Sequence, residues 1–279
     1  MTGTAPMPPA SWVAARIAED FGLTPVIGLE AEFYLLTGSA TDRRRTASVG
    51  ASGAGEAVVA AGAAAGVRIV AESGPSQHEM IFPPYRDVAE LLDRYRGGVT
   101  AVRTAAAGNG TRISFAAKPF PDQPGSGLHV NVSLHDERGR NAFGRPDGVP
   151  EEPSTLLYAV HGMLSTMIEF MPVFAPTANC RLRYRLTSAR DRLFCPSNVS
   201  WGGNNRSVAL RIPASTGRPE SRHIEHRVPS ARCCPERAVA AVLLGVHLGL
   251  VLRSAPDTAK VFGIAAEHPR EPLASGPLC

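Results

Sequence analysis

The stretch "VIGLEAEFYLL", residues 26–36, reads as a strand, yet it carries Glu30 and Glu32 inside an otherwise apolar run. Successive side chains of a strand point to opposite faces, so Ile27, Leu29, Ala31, Phe33 and Leu35 form one apolar face. Glu30 and Glu32 share the other. Two carboxylates at this spacing repel each other, and burying either without a partner is costly, so positive charge is expected over that face. The competing reading is a sheet whose second face is simply solvated, as antiparallel sheets often are.

The rest of the chain bounds what that strand can belong to. At 279 residues, with 44% hydrophobic and 19% charged residues, the chain can bury a substantial core and is globular rather than disordered. No run approaches the roughly 18 to 20 apolar residues that cross a membrane, and "MTGTAPMPPASW" lacks a secretory pattern. A cytoplasmic protein with no membrane partner is the expectation. The five cysteines, Cys180, Cys195, Cys233, Cys234 and Cys279, lack C-x-x-C spacing and read as free thiols. The net charge of +4 rests on arginine, since only Lys118 and Lys260 are lysines. Arginine forks suit carboxylate and phosphate, which favours specific anion sites over generic polyanion binding. The basic run "RLRYRLTSARDR" has little aromatic interleaving, so a nucleic-acid partner is not expected.

Outward from the opening strand, residues 11–22 read as a helix with Ser11 as N-cap and Gly22 as stop, and 37–51 as a polar surface loop containing Arg43 to Arg45. Helices are expected at 53–66, 86–107, 154–171 and 235–253. Strands are expected in "VRIVAESGPSQHEMIF", around Gly74-Pro75, and in "TRISFAAKPF", "SGLHVNVSL", "VSWGGNNRSVALRIP" and "SRHIEHRV". No internal repeat is present. The order predicts an α+β fold on a mainly antiparallel sheet.

In "AESGPSQHEM" a two-residue turn at Pro75-Ser76 would set Glu72 directly opposite Glu79. The strand "GLHVNVSL" alternates apolar Val130, Val132 and Leu134 with polar His129, Asn131 and Ser133, and "RHIEHRV" puts Glu225 and Arg227 on one face. Singly, each is ordinary surface or a hydrogen-bonded structural group. Together, five acids and one histidine on polar strand faces suit a pair of hard divalent cations, and the accompanying arginines suit phosphoryl transfer.

The motifs "GLEAEFYL", "ESGPSQHE", "KPF" with "PGSGLHVNVSL", "NCRLR", "SWGGNNRSVALRIP" and "HIEHRVP", in this order from about Val26 to Leu250, resemble the catalytic domain of glutamine synthetases, most closely the glutamate–amine ligase-like branch. The resemblance implies a single catalytic domain over 1–279, built on a curved, mainly antiparallel sheet flanked by helices. It implies an enzyme in which ATP phosphorylates the γ-carboxylate of glutamate or an analogue and an amine displaces phosphate to leave a γ-glutamyl amide. Glu32, Glu72 and Glu79 would hold one Mg²⁺ or Mn²⁺, and Glu30, His129 and Glu225 a second. Arg183 and Arg206 would grip the substrate carboxylate and the transferring phosphoryl group. Arg211 and Arg227 would serve nucleotide and phosphate oxygens, the Gly125-Ser126-Gly127 backbone would cradle the amino acid, and Asn131 would lie among the substrate and ATP contacts.

Several positions depart from the family pattern. The first metal motif begins after only about 28 residues, so the expectation is a chain without the small N-terminal β-grasp domain and its acidic residue that helps deprotonate ammonia, and with a shortened C-terminus. The flap aligns with "SARDRLFCP", which brings Phe194 or a neighbour where a glutamate is usual; Asn131 stands for a histidine and Ser76 for a glycine. These departures predict an acceptor amine larger than ammonia, with an oligomer or partner chain supplying the lid. The alternative is a non-catalytic scaffold or subunit of the same fold that needs a partner chain.

Overall fold

The computed structural model describes residues 7–37, 53–145, 151–215 and 217–274. Arg43 to Arg45 and Cys279 lie outside these residues. The opening strand, β1 (Thr24–Thr37), is the spine of the sheet. The remaining strands are β2 (Arg68–Ala71), β3 (Gln77–Tyr85), β4 (Thr111–Ser114), β5 (Leu128–His135), β6 (Trp201–Gly202), β7 (Leu210–Arg211) and β8 (Ile224–His226). They form one sheet in the order β2-β3-β1-β5-β8-β7-β6, with β4 paired to the far end of β1. Every pairing is antiparallel except that of β6 with β7, so the α+β fold has the mainly antiparallel sheet expected of it.

The alternation along β1 divides the molecule into two sides. Ile27, Leu29, Ala31, Phe33 and Leu35 are all buried in the main core. Helices α1 (Ala10–Phe21), α2 (Ala54–Ala64) and α3 (Val88–Gly108) lie on the same core, with α1 and α3 packed against β1 and α2 against β2. The other face is not solvated, because Tyr34 is fully buried and Glu32 is 8% exposed. Short helices α5 (Met171–Phe174), α6 (Ala178–Leu182) and α7 (Ala189–Phe194) lead the chain from α4 (Ser154–Thr166) back to β6.

Helix α8 (Pro235–Leu252) corrects one reading of the sequence: despite Glu236 and Arg237 in its first turn, its 18 residues are on average apolar enough, and the helix long enough, to cross a membrane by length and composition. In this fold its middle is buried against α4. Gly162 of α4 meets Gly245 and Gly249 so closely that a Cβ on Gly162 would lie 2.1 Å from the Gly245 carbonyl oxygen. The backbones therefore touch, and any side chain at these positions forces the two helices apart.

Other boundaries differ for local reasons. Helix α1 begins at Ala10 with Pro9 in the cap position, placing Ser11 inside it, while Gly22 closes it in the left-handed conformation at φ 65°. Helix α4 stops at Thr166, whose hydroxyl bonds back to the Gly162 carbonyl, and Pro172 lies in the first turn of α5. The 199–213 segment pairs only over β6 and β7, because Asn205 turns the chain, accepting from Ser207 and donating to the Gly263 carbonyl.

Candidate active site

The pairing registers assemble the acidic residues. Glu30 lies opposite His129 across β1 and β5, Glu32 opposite Glu79 across β1 and β3, and Glu225 opposite both Asn131 on β5 and Arg211 on β7. Opposite residues of an antiparallel pair share a face, so one oblique row crosses five strands. Its centre is His129, 97% buried. Its Nδ1 is 3.3 Å from Glu225, 3.4 Å from Glu30 and 3.8 Å from Glu79, while its Nε2 is 3.8 Å from Glu32. Two groupings bring one ligand atom per residue within 4.8 Å of one another: Glu30, His129 and Glu225, and Glu32, Glu79 and His129.

Glu72 stands slightly apart. The turn is longer than two residues: Ala71 pairs with His78, the Glu72 N–H donates to Gln77, and Ser76 takes φ 57°. Glu79 consequently faces Val70 rather than Glu72. Glu72 still lines the cleft, where its carboxylate accepts from the Ser73 hydroxyl, but it is outside both close groupings.

Burial and crowding set the charges. The Glu79 carboxyl is pushed up to about 9, first by burial and then by Glu30, Glu32, Glu72 and Glu225. Glu32 rises to about 7 through burial, which Arg183 and the Gly127 N–H only partly offset. Glu225 goes the other way: burial pushes it up, but its neighbours, Arg227 foremost, hold it below the usual carboxylate value. His129 is held well below its ordinary value by burial and then by Arg227, so it is a neutral imidazole. Its Nε2 is buried with no hydrogen-bond partner among the described residues. An unpaired imidazole nitrogen among repelling carboxylates is the chemistry of a hard-cation site, and the residues fit Mg²⁺ or Mn²⁺.

The arginines are not equivalent. Arg183, 3% exposed, spends its guanidinium on the carbonyls of Arg227 and Val228, at 3.1–3.2 Å. It still lines the cleft, where a substrate grip is expected of it, and pulls Glu32 down. Arg227 pairs with Glu225 and donates to the Phe194 carbonyl, and Arg211 pairs with Glu225 at 2.8 Å. Arg206 is exposed at the rim, 6.0 Å from the Phe194 ring centre.

Part of the expected backbone cradle is engaged within the chain. The Ser126 N–H is bonded to Ala117 and the Gly127 N–H to Glu32, so of the three residues only Gly125 lines the cleft. Gly127 has a different reason to be glycine: a Cβ there would lie 2.5 Å from the Arg183 guanidinium and 2.9 Å from His129 Nε2. Asn131 holds Glu30 through a 3.1 Å hydrogen bond and does not line the cleft.

Residues missed in the sequence include Arg190 and Asp191, which line the cleft from α7. The segment aligned with the flap folds as this short helix, closed by a capping box between Ser188 and Asp191. The S-x-x-D spacing in "SARD" was the available signal. Asp191 also reaches Lys118, at 3.4 Å, in a buried ion pair. The cysteines Cys180, Cys195, Cys233 and Cys234 are unbridged.

Residues 55–273 match the family model of the glutamine synthetase catalytic domain. The chain is 33% identical over 181 residues to the γ-glutamylputrescine synthetase PuuA of Escherichia coli (strain K12), covering 65% of this chain and 36% of that protein. It is 32% identical over 177 residues to the γ-glutamylethanolamide synthetase GlnA4 of Streptomyces coelicolor, covering 63% and 36%. A glutamine synthetase of Halobacterium salinarum is 31% identical over 246 residues, covering 83% and 52%. The aligned part is thus about a third to a half of these relatives. A solved structure of a GmaS/ADP complex superposes with a TM-score of 0.78 over 96% of this chain and 64% of that one, at 22% identity, which shows the fold. With the family model covering most of the chain and the acidic row in place on its sheet, the chain belongs to the glutamine synthetase family.

Proposed function

We propose that the protein is an ATP-dependent carboxylate–amine ligase that activates glutamate, or an analogue, and forms a γ-glutamyl amide. The observation that carries this reading is the acidic row centred on His129, flanked by arginines at one end. The names of the relatives, which include synthetases of γ-glutamylputrescine and γ-glutamylethanolamide, support the amide product.

Glu30, Glu32, Glu79, His129 and Glu225, with Glu72 at the edge, would hold two divalent cations, Mg²⁺ or Mn²⁺. Bound there, the cations would supply neutralisation of phosphate oxygens. The chain's own residues do the rest. Arg211 and Arg227 are held in place by Glu225, so their positions are set before substrate arrives. Arg206, exposed and without an ion pair among the described residues, is free to meet the γ-phosphoryl group. A γ-carboxylate oxygen of glutamate attacks the γ-phosphorus as ADP leaves. The amine then attacks the acyl carbon and phosphate leaves, with one amine proton lost.

Phe194 at the cleft, with the acidic Asp191 of the same helix already paired to Lys118, argues against ammonia as the preferred acceptor. The exposed Leu193, Phe194 and Phe262 support a second copy or partner chain covering this edge and excluding water from the acyl phosphate. The test is ADP and phosphate release with ATP, Mg²⁺ or Mn²⁺ and glutamate, against a panel of amines. Turnover with a larger amine exceeding that with ammonium is expected. Inactivity with every amine and candidate partner would favour the scaffold alternative.

A further inference from the structure

A second cavity, of about 610 Å³, opens beside β4 and the segment that follows it. Arg103 of α3, Arg112 of β4 and Arg232 from the loop before α8 face it, with Phe115 and Phe120 among its apolar walls. No acidic side chain is among the described residues that line it. The fourth cation there, Lys118, is already paired with Asp191. The three arginines have no ion-pair partner among the described residues, and the Nε of Arg112 is buried with no hydrogen-bond acceptor. A buried guanidinium nitrogen left unbonded is costly, and three guanidinium groups without an ion-pair partner among the described residues line one cavity.

We propose that this cavity is a second ligand site, separate from the acidic cleft, that takes a small organic dianion with an apolar body: an aromatic or aliphatic phosphate monoester or dicarboxylate. Planar guanidinium forks match the two oxygens of a carboxylate or phosphate, which point-charge lysines do less well. The aromatic walls Phe115 and Phe120 provide a surface for the apolar body, and the volume far exceeds the roughly 80 Å³ of the acidic cleft. The acidic cleft repels such a ligand unless cations are bound, so metal-free protein separates the two sites.

The experiment is calorimetric titration of metal-free protein, at low ionic strength, with phenyl phosphate, with phthalate and with inorganic phosphate. One molecule of an aromatic dianion is expected per chain, with inorganic phosphate weaker. The double variant Arg103→Gln/Arg232→Gln, both changes at exposed positions, should weaken binding by about tenfold or more. Arg206→Gln, at the acidic cleft, should leave it unchanged. Thermal melting checks that each variant is folded, and Arg232→Gln alone carries the comparison if the double variant is not. No saturable binding at millimolar ligand, or loss in Arg206→Gln with retention in the double variant, would overturn the site. Equal affinity for inorganic phosphate would overturn the apolar-body assignment.

Discussion

Glu79 and Glu225 are glutamates on one face of one sheet, both screened from solvent, and their carboxyl groups respond oppositely. On the β1–β3 side, Glu79 is surrounded by Glu30, Glu32 and Glu72 and is pushed up to about 9. On the β8–β7 side, Glu225 has Arg227 and Arg211 beside it and is held low despite greater burial. Residue type and sheet face are shared, so neighbours decide. One half of the cleft carries its own counter-charge; the other has to obtain one from outside the chain. The two ends thus differ: arginines fixed by Glu225 at one, and at the other a carboxylate cluster that would take its counter-charge from a bound cation.

The comparison breaks most severely if the internal counter-charge is removed. Arg227→Met leaves Glu225 with only Arg211, and removal of one partner from a buried ion pair costs about 3–5 kcal/mol. Urea denaturation measures this; a loss below about 1 kcal/mol, the range of exposed pairs, would show that Glu225 does not depend on Arg227. Glu79→Gln is the counterpart on the other side. It should leave the metal-free protein at least as stable above neutral pH, because it removes a carboxylate from a repelling cluster.

Next in size is the rim arginine. Arg206→Lys exchanges a fork for a point charge and should reduce turnover by about 10²-fold to 10³-fold with stability within about 0.5 kcal/mol. Equal phosphate-release rates at equal thermal stability would remove Arg206 from the chemistry. Gly127→Ala should destabilise by about 1–3 kcal/mol, because the added methyl meets Arg183 and His129. Unchanged melting would mean that this corner of the cleft yields more easily than its contacts indicate.

How far the site could be read beforehand follows the same division. Alternation in residues 26–36 was enough to separate the core face from the face of Glu30 and Glu32, since period two is a local property of a strand. The partners across β1 depend on registers set by turns. There the sequence was less informative: Ser76 in a left-handed conformation lengthened the hairpin turn and moved Glu79 opposite Val70. The role of Arg183 was also hidden, because nothing local signals that a charged side chain will be 97% buried against two carbonyls contributed by a strand end 44 and 45 residues away. Nor did Ser126 and Gly127 reveal that their N–H groups are spent on Ala117 and Glu32, contacts made only once the chain has folded back.

A smaller effect, in pH, tests the raised half of the cleft directly. Between an unfolded value of 4.5 and folded values of about 7 for Glu32 and about 9 for Glu79, the folded chain holds more protons than the unfolded one. Stability of the metal-free protein therefore falls as pH rises through that window. Glu225 acts in reverse: its contribution is present above the ordinary carboxylate value and is lost as pH falls through its lower folded value. Melting temperatures of metal-free protein from about pH 5 to about pH 9 should decline, and more shallowly for Glu79→Gln. Identical slopes would mean that Glu79 does not carry the shift.

The central claim, that the β1–β3 half requires an external cation, is tested most directly by calorimetric titration of Mn²⁺ into metal-free protein near pH 7.5, in buffers of different ionisation enthalpy. A cation that displaces protons from Glu79 and Glu32 releases them to the buffer, so the observed heat should vary with the buffer. The account predicts saturable binding with proton release, and loss of both the affinity and the released proton in Glu79→Gln. Absence of metal-dependent heat in the unaltered protein, or binding that Glu79→Gln leaves intact, would contradict it.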